Sequence, residues 1–401
     1  MTAPAPDSSS PPRPAGTPTG RTRPAATDAI PGRVPGPARR EPAPEHRAPS
    51  AEQAVPADRH DAALILAAAR ATVDPELHRA IGTLPAAMRR VALHHFGWSD
   101  GPADGRGVPS GGGAGKAIRP ALVFAATRAL GGRTESVARA AAAVELVHNF
   151  TLLHDDVMDR DTTRRHRPTA WTVFGVPDAI LAGDALQALA QRLLVEDPHP
   201  AAAAAAARIA LCVIELCEGQ QVDTALEQRA PDQVTLDECL VVAEAKTGAL
   251  IGCACAVGAL YAGAEEETVA ALDAFGREAG LAFQLIDDVI GIWGDPRRTG
   301  KPAGADLLAR KKSLPVVAAL ESRTPAAAEL VRLYSAEAAP TVEDLERTAL
   351  AVEEAGGRDW AQSHAADRMA RAVQQLSRAI PDPVAAGGLL SLAEFVTRRS
   401  A

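Results

Sequence analysis

Three acidic residues stand where an apolar stretch of the chain ends: Asp155, Asp156 and Asp159. Because a helix turns by about 100° per residue, Asp155 and Asp159 lie on one face about one turn apart, where they can share a cation. The stretch after them is rich in arginine, with Arg160, Arg164, Arg165 and Arg167. A solvated acidic helix end is the ordinary alternative. Carboxylates between an apolar wall and a set of cations instead indicate a binding site.

A second acidic pair, Asp287 and Asp288, also follows an apolar run, and Gln284 precedes Asp287 on the same helical face. Carboxylate oxygens are hard ligands, and no Cys or His cluster at zinc spacing lies near either acidic motif. The donor set therefore favours Mg²⁺. The following loop combines glycine and proline with cations, a composition that predicts a lid over a phosphate group.

Several cations are placed to bind an anion. Lys116 and Arg119 lie three residues apart at a predicted helix start, which predicts an anion clamp. Lys246 and Thr247 stand in an apolar helix, where an unpaired charge is costly, so the lysine must meet an anion or extend to solvent. With Mg²⁺, these cations suit a diphosphate, and the aliphatic walls suit a hydrocarbon tail. A structural role and a site role are equally open for Asp184, Gln220 and Asp223.

Composition indicates a helical protein. Only 3% of the 401 residues are aromatic, and beyond the first part of the chain Ala and Leu dominate, with almost no alternating strand pattern. We expect one all-α domain over residues 59–401, after a disordered Pro-, Ala- and Arg-rich tail over residues 1–58. The periodicity predicts helices over residues 62–71, 75–95, 135–160, 178–194, 236–263 and 268–293.

The same features argue against several classes of protein. A net charge of −8 gives no electrostatic footprint for nucleic acid. The apolar run over residues 201–217 is interrupted by Arg208 and Glu215, so no stable membrane insertion is expected. The five cysteines lack zinc spacing and are expected to be reduced thiols in a cytoplasmic protein. We find no Ser-His-Asp set, Walker loop or dinucleotide fingerprint in the sequence.

Six motifs between Lys116 and Pro315 resemble those of the trans-type polyprenyl diphosphate synthases, most closely the actinobacterial geranylgeranyl diphosphate synthases. They are Gly-Lys-x-x-Arg-Pro, Asp-Asp-x-x-Asp with Arg-Arg downstream, Gly-Gln-x-x-Asp, Lys-Thr, Phe-Gln-x-x-Asp-Asp and Gly-Lys-Pro. The resemblance implies an all-α isoprenoid synthase fold around a deep central cavity, in a homodimer. It also implies the reaction: an allylic diphosphate (dimethylallyl, geranyl or farnesyl) ionises with the help of Mg²⁺ and condenses head to tail with isopentenyl diphosphate. The released diphosphate is expected to take the proton.

The resemblance implies roles for particular residues. Asp155 and Asp159, with Asp156 nearby, would bind two Mg²⁺ ions, and Asp287 would bind a third with support from Asp288 and Asp306. The allylic diphosphate would be held by Arg164, Lys246 and Lys301, with Lys311 as a further substrate ligand. Isopentenyl diphosphate would be held by Lys116, Arg119, His148 and Arg165. The oxygens of Thr247 and Gln284 would stabilise the allylic cation.

Product length is expected to depend on the helix that carries the first acidic motif. The product would grow from the metal ions toward the N-terminus of this helix, so Phe150 and Thr151 would form the cavity floor. A single aromatic residue five positions before Asp155 resembles the geranylgeranyl synthases, which predicts a C20 product; as the alternative, Phe150 is ordinary core. Rival interpretations are a C15 product, a product of C25 or more, a class I terpene cyclase, and a non-catalytic subunit of a heteromeric synthase.

One position departs from the family pattern. Many members have a third Asp four residues after the first acid of the second motif, where this chain has Gly291. We expect this glycine to have no consequence. The alternative is a weaker third Mg²⁺ site, for which Asp295 could compensate.

Overall fold

The computed structural model describes residues 60–98, 115–295 and 304–397. The predicted tail over residues 1–58 lies outside the described residues, and so do Lys301 and the rest of residues 296–303 in the predicted lid. The boundary between tail and domain therefore stays a prediction.

Helices dominate the described residues. The first half of the domain contains α1 (Ala62–Gly82), α2 (Ala86–Phe96), α3 (Ile118–Ala129), α4 (Ala138–Met158), α5 (Ala170–Phe174), α6 (Val176–Val195) and α7 (Ala202–Glu227). The second half contains α8 (Leu236–Ala243), α9 (Ala249–Tyr261), α10 (Glu266–Trp293), α11 (Ala305–Leu308), α12 (Leu314–Glu321), α13 (Pro325–Tyr334), α14 (Val342–Glu354), α15 (Gly357–Ala379) and α16 (Pro383–Thr397). Short 3₁₀ turns span Thr134–Val137 and Pro231–Gln233, and a π-helical turn spans Glu244–Gly248 between α8 and α9.

The first predicted helix boundary was wrong. The sequence predicted a break before Pro75, but α1 continues through this proline to Gly82, and the chain turns instead just before α2. An interior proline removes one backbone hydrogen bond and crowds the preceding turn. Val73, Leu77 and Ile81 are buried on either side of it, and packing of this apolar face outweighs the local cost.

The domain is built around α4. Residues 140–147 of this helix are all buried, and α1, α3, α6 and α9 pack against it. The end of α4 carries the first acidic motif. The apolar helix α4, packed by other helices along its length, thus places three carboxylates at the edge of the core.

Glycines bring α9 and α10 into close contact. A Cβ added at Gly276 would lie 2.6 Å from the Cα of Gly252, and one added at Gly280 would lie 2.8 Å from the Cα of Gly248. Side chains at these positions would force the helices apart. The close crossing places the π-turn, with Lys246 and Thr247, directly beside the helix that carries the second acidic motif.

Among the described residues, one segment, Leu236–Tyr261, is long and apolar enough to cross a membrane by length and composition. In the fold, 78% of its apolar window is buried. Burial of this kind is what a core helix of a folded domain shows.

Candidate active site

The first acidic motif closes α4, with Asp159 as the residue that caps its C-terminus. Burial raises the pKa of Asp155 to about 6, although the charge of Lys246 opposes this shift. Burial also raises the pKa of Asp159, again against the charge of Lys246. The two carboxylates are crowded and partly desolvated, so a cation between them would relieve their repulsion.

Asp156 points the other way. Its side chain is buried, and its Oδ1 accepts a hydrogen bond of 2.7 Å from Nε of Arg164. Its Oδ2 is buried with no hydrogen-bond partner. Arg164 was predicted to hold a diphosphate; in the structure it fixes Asp156, and a substrate contact stays a prediction.

A two-stranded hairpin follows α4, with β1 (Thr163–Arg164) antiparallel to β2 (Arg167–Pro168). Its two turn residues, Arg165 and His166, have φ values of 51° and 61°. Two left-handed residues are the signature of a type I′ turn, which normally selects Asn or Gly. Such strain outside glycine is found where the surroundings require it, often at functional sites.

Arg165 belongs to a basic group with Arg119 and His148. A Cβ at Gly115 would lie 2.5 Å from Nη2 of Arg165, so the guanidinium lies directly on the loop before α3. Burial, followed by the charges of Arg119 and Arg165, lowers the pKa of His148. Nε of Arg119 is buried without a hydrogen-bond partner. Three of the four residues predicted to hold isopentenyl diphosphate are therefore brought together, in an environment that favours an anion.

The fourth predicted residue, Lys116, lies against the C-terminal helix. Its Nζ is 5.3 Å from the ring centroid of Phe395, a distance typical of a cation–π contact. Its part in substrate binding stays a prediction.

The sequence did not reveal His95 of α2, which lies near the same group. Burial and the charges of Arg164 and Arg165 lower the pKa of His95 to about 3, so the imidazole is neutral. Glu145 is the buried acid of this region; its burial raises its pKa, and Arg119 opposes that shift. The adjacent pair His94–His95 at the end of a predicted helix was the signal that could have pointed to it.

The π-turn supplies the next part of the site. The sequence predicted that Lys246 must meet an anion or extend to solvent, and the structure confirms an anion, because its Nζ donates to Asp223. Single π-turns inside helices are rare and often mark functional positions. Oγ1 of Thr247 donates to Oε1 of Gln284 over 2.8 Å, which ties the turn to α10.

In the second acidic motif, Asp287 is half-buried and Asp288 is buried. Gln284 lies three residues before Asp287, and its Nε2 donates to Oδ1 of Asp288 at 2.9 Å, because residues four apart on a helix also face each other. Asp288 further accepts from the backbone N–H of Leu314 at 3.0 Å and from Nζ of Lys311 at 3.3 Å. The charge of Asp288 raises the pKa of Lys311. Both oxygens of Asp288 are engaged, so its role as a metal ligand stays a prediction.

The structure explains why position 291 is a glycine. A Cβ at this position would lie 2.1 Å from Oδ2 of Asp306, so the carboxylate of Asp306 occupies the space that a side chain at position 291 would need. Nζ of Lys311 lies 3.9 Å from the same oxygen. The missing acid of the second motif is thus replaced in space by an acid from the segment beyond the loop.

Two cavities meet at Lys246. One, of about 160 Å³, is polar and lies between α7, the π-turn and α10, where it is lined by Asp223, Lys246, Thr247, Gln284, Asp288 and Lys311 among others. The other, of about 340 Å³, lies between α4 and α7, and its lining includes Phe150, Thr151, His154, Asp155, Leu216, Gln220 and Lys246. The second volume is in the range of small-molecule pockets, about 300–1,000 Å³. Asp184 lines neither cavity; it is exposed beside His154.

No three Asp, Glu, His or Cys side chains within residues 60–98, 115–295 and 304–397 converge to form a ready-made metal site. The hard carboxylates of α4, crowded and with raised pKa values, nevertheless suit a divalent cation that arrives with part of its ligands from a substrate.

Asp155→Asn is expected to stabilise the metal-free protein above about pH 6. The pKa of Asp155 is about 6 in the folded chain and about 3.9 in an unfolded one. Its protonated form therefore favours folding fully below about pH 4, and this contribution is lost as the pH rises through 6. The neutral amide avoids this loss, so the gain in the free energy of unfolding at pH 8 is about 1–3 kcal/mol.

Urea unfolding with a chelator at pH 4.5 and pH 8 measures this difference. Asp367→Asn, at an exposed position of α15, is the matched control and is expected to change little at either pH. An Asp155→Asn variant no more stable than the original chain at pH 8 contradicts the assignment of a strained, buried carboxylate.

Known proteins that are similar to this chain belong to one family. The family model for polyprenyl synthetase matches residues 111–351. The chain is 49% identical over 346 residues to a geranylgeranyl diphosphate synthase of Mycobacterium tuberculosis, which covers 86% of this chain and 95% of that protein. It is 44% identical over 341 residues to a (2E,6E)-farnesyl diphosphate synthase of Mycobacterium bovis, with coverage of 84% and 93%.

The fold agrees as well. The crystal structure of a polyprenyl synthetase from Streptomyces coelicolor is similar, with a TM-score of 0.78 at 42% identity over 84% of this chain and 99% of that one. The predicted all-α fold is confirmed. The family match spans both acidic motifs, the π-turn and the basic group. The chain therefore belongs to the polyprenyl synthetase family, and it is a prenyltransferase with the isoprenoid synthase fold.

Proposed function

We propose that this prenyltransferase condenses isopentenyl diphosphate with an allylic diphosphate, head to tail, and that its main product is geranylgeranyl diphosphate (C20). The main support for this proposal is that Lys246 lines two cavities. One contains acids and cations, and the other is apolar and reaches Phe150. A substrate with a charged head and a hydrocarbon tail fits this pair of cavities. The relative with 49% identity is a geranylgeranyl diphosphate synthase, which supports C20, while the farnesyl diphosphate synthase at 44% keeps C15 as the alternative.

Mg²⁺ is part of the proposal, with three ions in each active site. Asp155, Asp159 and Asp287 would hold them, together with oxygens of the substrate. When bound, the metal supplies Lewis-acid stabilisation of the negative charge on the departing diphosphate. Lys246 stands beside Asp155 and Asp159 and adds positive charge at the same place.

The allylic cation needs oxygens near its path. Thr247 donates its hydroxyl hydrogen to Gln284. The lone pairs of the Thr247 oxygen therefore point in other directions. The hydrogen bond from Gln284 to Asp288 fixes the side-chain amide in one orientation. Fixed dipoles stabilise a developing positive charge without reorganising. The basic group around Arg119 and Arg165 would hold isopentenyl diphosphate, the second substrate.

An assay with radiolabelled isopentenyl diphosphate and each allylic primer tests the proposed function. Label should enter a C20 alcohol after dephosphorylation, and only when a primer and Mg²⁺ are present. Asp155→Asn should lower turnover by at least about 10³-fold, because it removes a charged group from the centre of the reaction. A cyclised hydrocarbon from one substrate would identify a terpene cyclase, and no turnover would identify a non-catalytic subunit; either result refutes the proposal.

Phe150→Ala is expected to lengthen the product beyond C20. Phe150 and Thr151 line the apolar cavity on the side of α4, and truncation of the ring opens space along the direction of growth. Chromatography of the dephosphorylated products measures the shift. Phe174→Ala is the control, since its ring packs on His94, away from this cavity. If Phe150→Ala leaves the product length unchanged, Phe150 is an ordinary core residue and does not form the cavity floor.

We also propose that the chain acts as a homodimer and needs no insertion into a membrane. Large apolar side chains are exposed on the neighbouring helices α6 and α7, namely Ile180 (38%), Leu181 (50%), Leu211 (68%) and Ile214 (65%). Exposed apolar surface of this kind marks protein interfaces, and a two-fold axis is the commonest arrangement.

Light scattering after size exclusion should give twice the chain mass of 41.5 kDa. Leu211→Glu combined with Ile214→Glu should halve that mass, because charges on a buried interface are costly. Val342→Glu, at a 75% exposed position of α14, should leave it unchanged. A monomeric original chain would refute the dimer.

A further inference from the structure

His154 lines the apolar cavity, and the chemistry described above gives it no role. Its side chain is 19% exposed, and it shares the cavity lining with Phe150 and Thr151. It lies one residue before Asp155 and four after Phe150, so its ring stands between the acidic end of α4 and the proposed floor.

Two contacts fix the imidazole ring, and its Nε2 also lies 3.6 Å from Oδ1 of the exposed Asp184. Nε2 lies 3.0 Å from the backbone oxygen of Ile180 in α6, and because a carbonyl only accepts, Nε2 carries a hydrogen and donates it. The ring also meets that of Phe150 edge-on, with centroids 5.4 Å apart and planes at 90°. This is a favoured arrangement of aromatic rings. His154 therefore connects the aromatic side chain at the floor to the backbone of another helix.

Gly183 makes room for this ring. A Cβ at position 183 would lie 2.3 Å from Nε2 and 2.4 Å from Cδ2 of His154. The glycine is buried within α6, so it forms a notch in the helix surface that receives the imidazole. A side chain at position 183 must push the ring out of the notch, away from α6 and toward the cavity.

We propose that His154 is a specificity-determining residue, which sets product length by holding the Phe150 ring in place as the cavity floor. The proposal rests on the proposed function. With the imidazole in its notch, the Phe150 ring is blocked on the side of α6, and a growing chain meets a fixed surface. Without it, the Phe150 ring can turn toward α6, and the cavity becomes deeper.

The arrangement predicts opposite effects for two variants. His154→Ala removes the support and should raise the ratio of products longer than C20 to C20 by about tenfold, the usual effect of a small change in an apolar pocket. Gly183→Ala should raise the ratio of C15 to C20 by a similar factor of about ten, because the displaced ring fills part of the cavity. Alanine is also the better helix former, so the second variant is expected to fold.

The test uses the full chain, geranyl diphosphate as primer and radiolabelled isopentenyl diphosphate, with chromatography of the dephosphorylated products. His154→Phe keeps a ring beside Phe150 and should retain C20 as the main product. His199→Ala is the matched control, because this histidine stacks on Tyr261, with centroids 4.3 Å apart, and does not line the cavity. Thermal melts of all variants show that each is folded.

Unchanged product lengths for both His154→Ala and Gly183→Ala, while Phe150→Ala lengthens the product, would overturn the role of His154 and leave the proposed function standing. Shifts of both variants in the same direction would overturn it too. If the original chain itself fails to condense the two substrates, the proposed function has failed instead.

Discussion

The carboxylate of Asp288 holds together parts of the site that come from distant stretches of the chain. It accepts hydrogen bonds from Gln284, from Lys311 and from the backbone N–H of Leu314, and Gln284 in turn accepts one from Thr247. A buried charged acceptor with all its partners in place is stable, whereas loss of the carboxylate would leave several donors unsatisfied. The π-turn, α10 and the start of α12 therefore keep one arrangement, and the cavities on either side of Lys246 depend on it.

Like charges are gathered in two groups of the site. Burial raises the pKa values of Asp155 and Asp159 in the acidic group. Burial lowers the pKa values of Arg119 and Arg165 in the basic group. Like charges in a partly buried site destabilise the protein when its ligands are absent, and a cation at the acidic group and a diphosphate at the basic group would relieve both strains. The tightly packed α9 and α10 offset this cost elsewhere in the fold.

The sequence predicted those parts of the site that depend on spacing along one helix. Asp155 and Asp159 share a face because they are four residues apart, and Lys246 had to meet an anion or extend to solvent because its neighbours are apolar. The sequence could not show which anion, since Asp223 comes from another helix. Similarly, no pattern in the sequence assigns a role to His154, because its contacts to Ile180 and Gly183 depend on how α6 packs on α4. Gly291 looked like a lost acid until Asp306 was seen to fill its place.

Local rules also failed where tertiary packing outweighed them. Pro75 predicted a helix boundary, yet the buried face of α1 keeps the helix continuous. The residue types in the π-turn at Glu244–Gly248 do not predict it, because the sequence around it has the pattern of one apolar helix. Close contacts between α10 and this turn, made through Gly248 and Gly280, decide its position. Such contacts involve residues far apart in the sequence, and no single-helix pattern reports them.

The acids and the floor residues of α4 are constrained in different ways. Asp155 and Phe150 are five residues apart, which is about 7.5 Å along a helix axis, so helix geometry fixes the distance between the reacting end and the floor. The acids face cations from several elements, and any change there alters the electrostatics of the whole site. Phe150 and His154 contact each other, the cavity and one backbone oxygen. Under the proposed function, substitution at these two positions changes the depth of the cavity without disturbing the hydrogen bonds around Asp288, so control of product length would be separate from control of the chemistry.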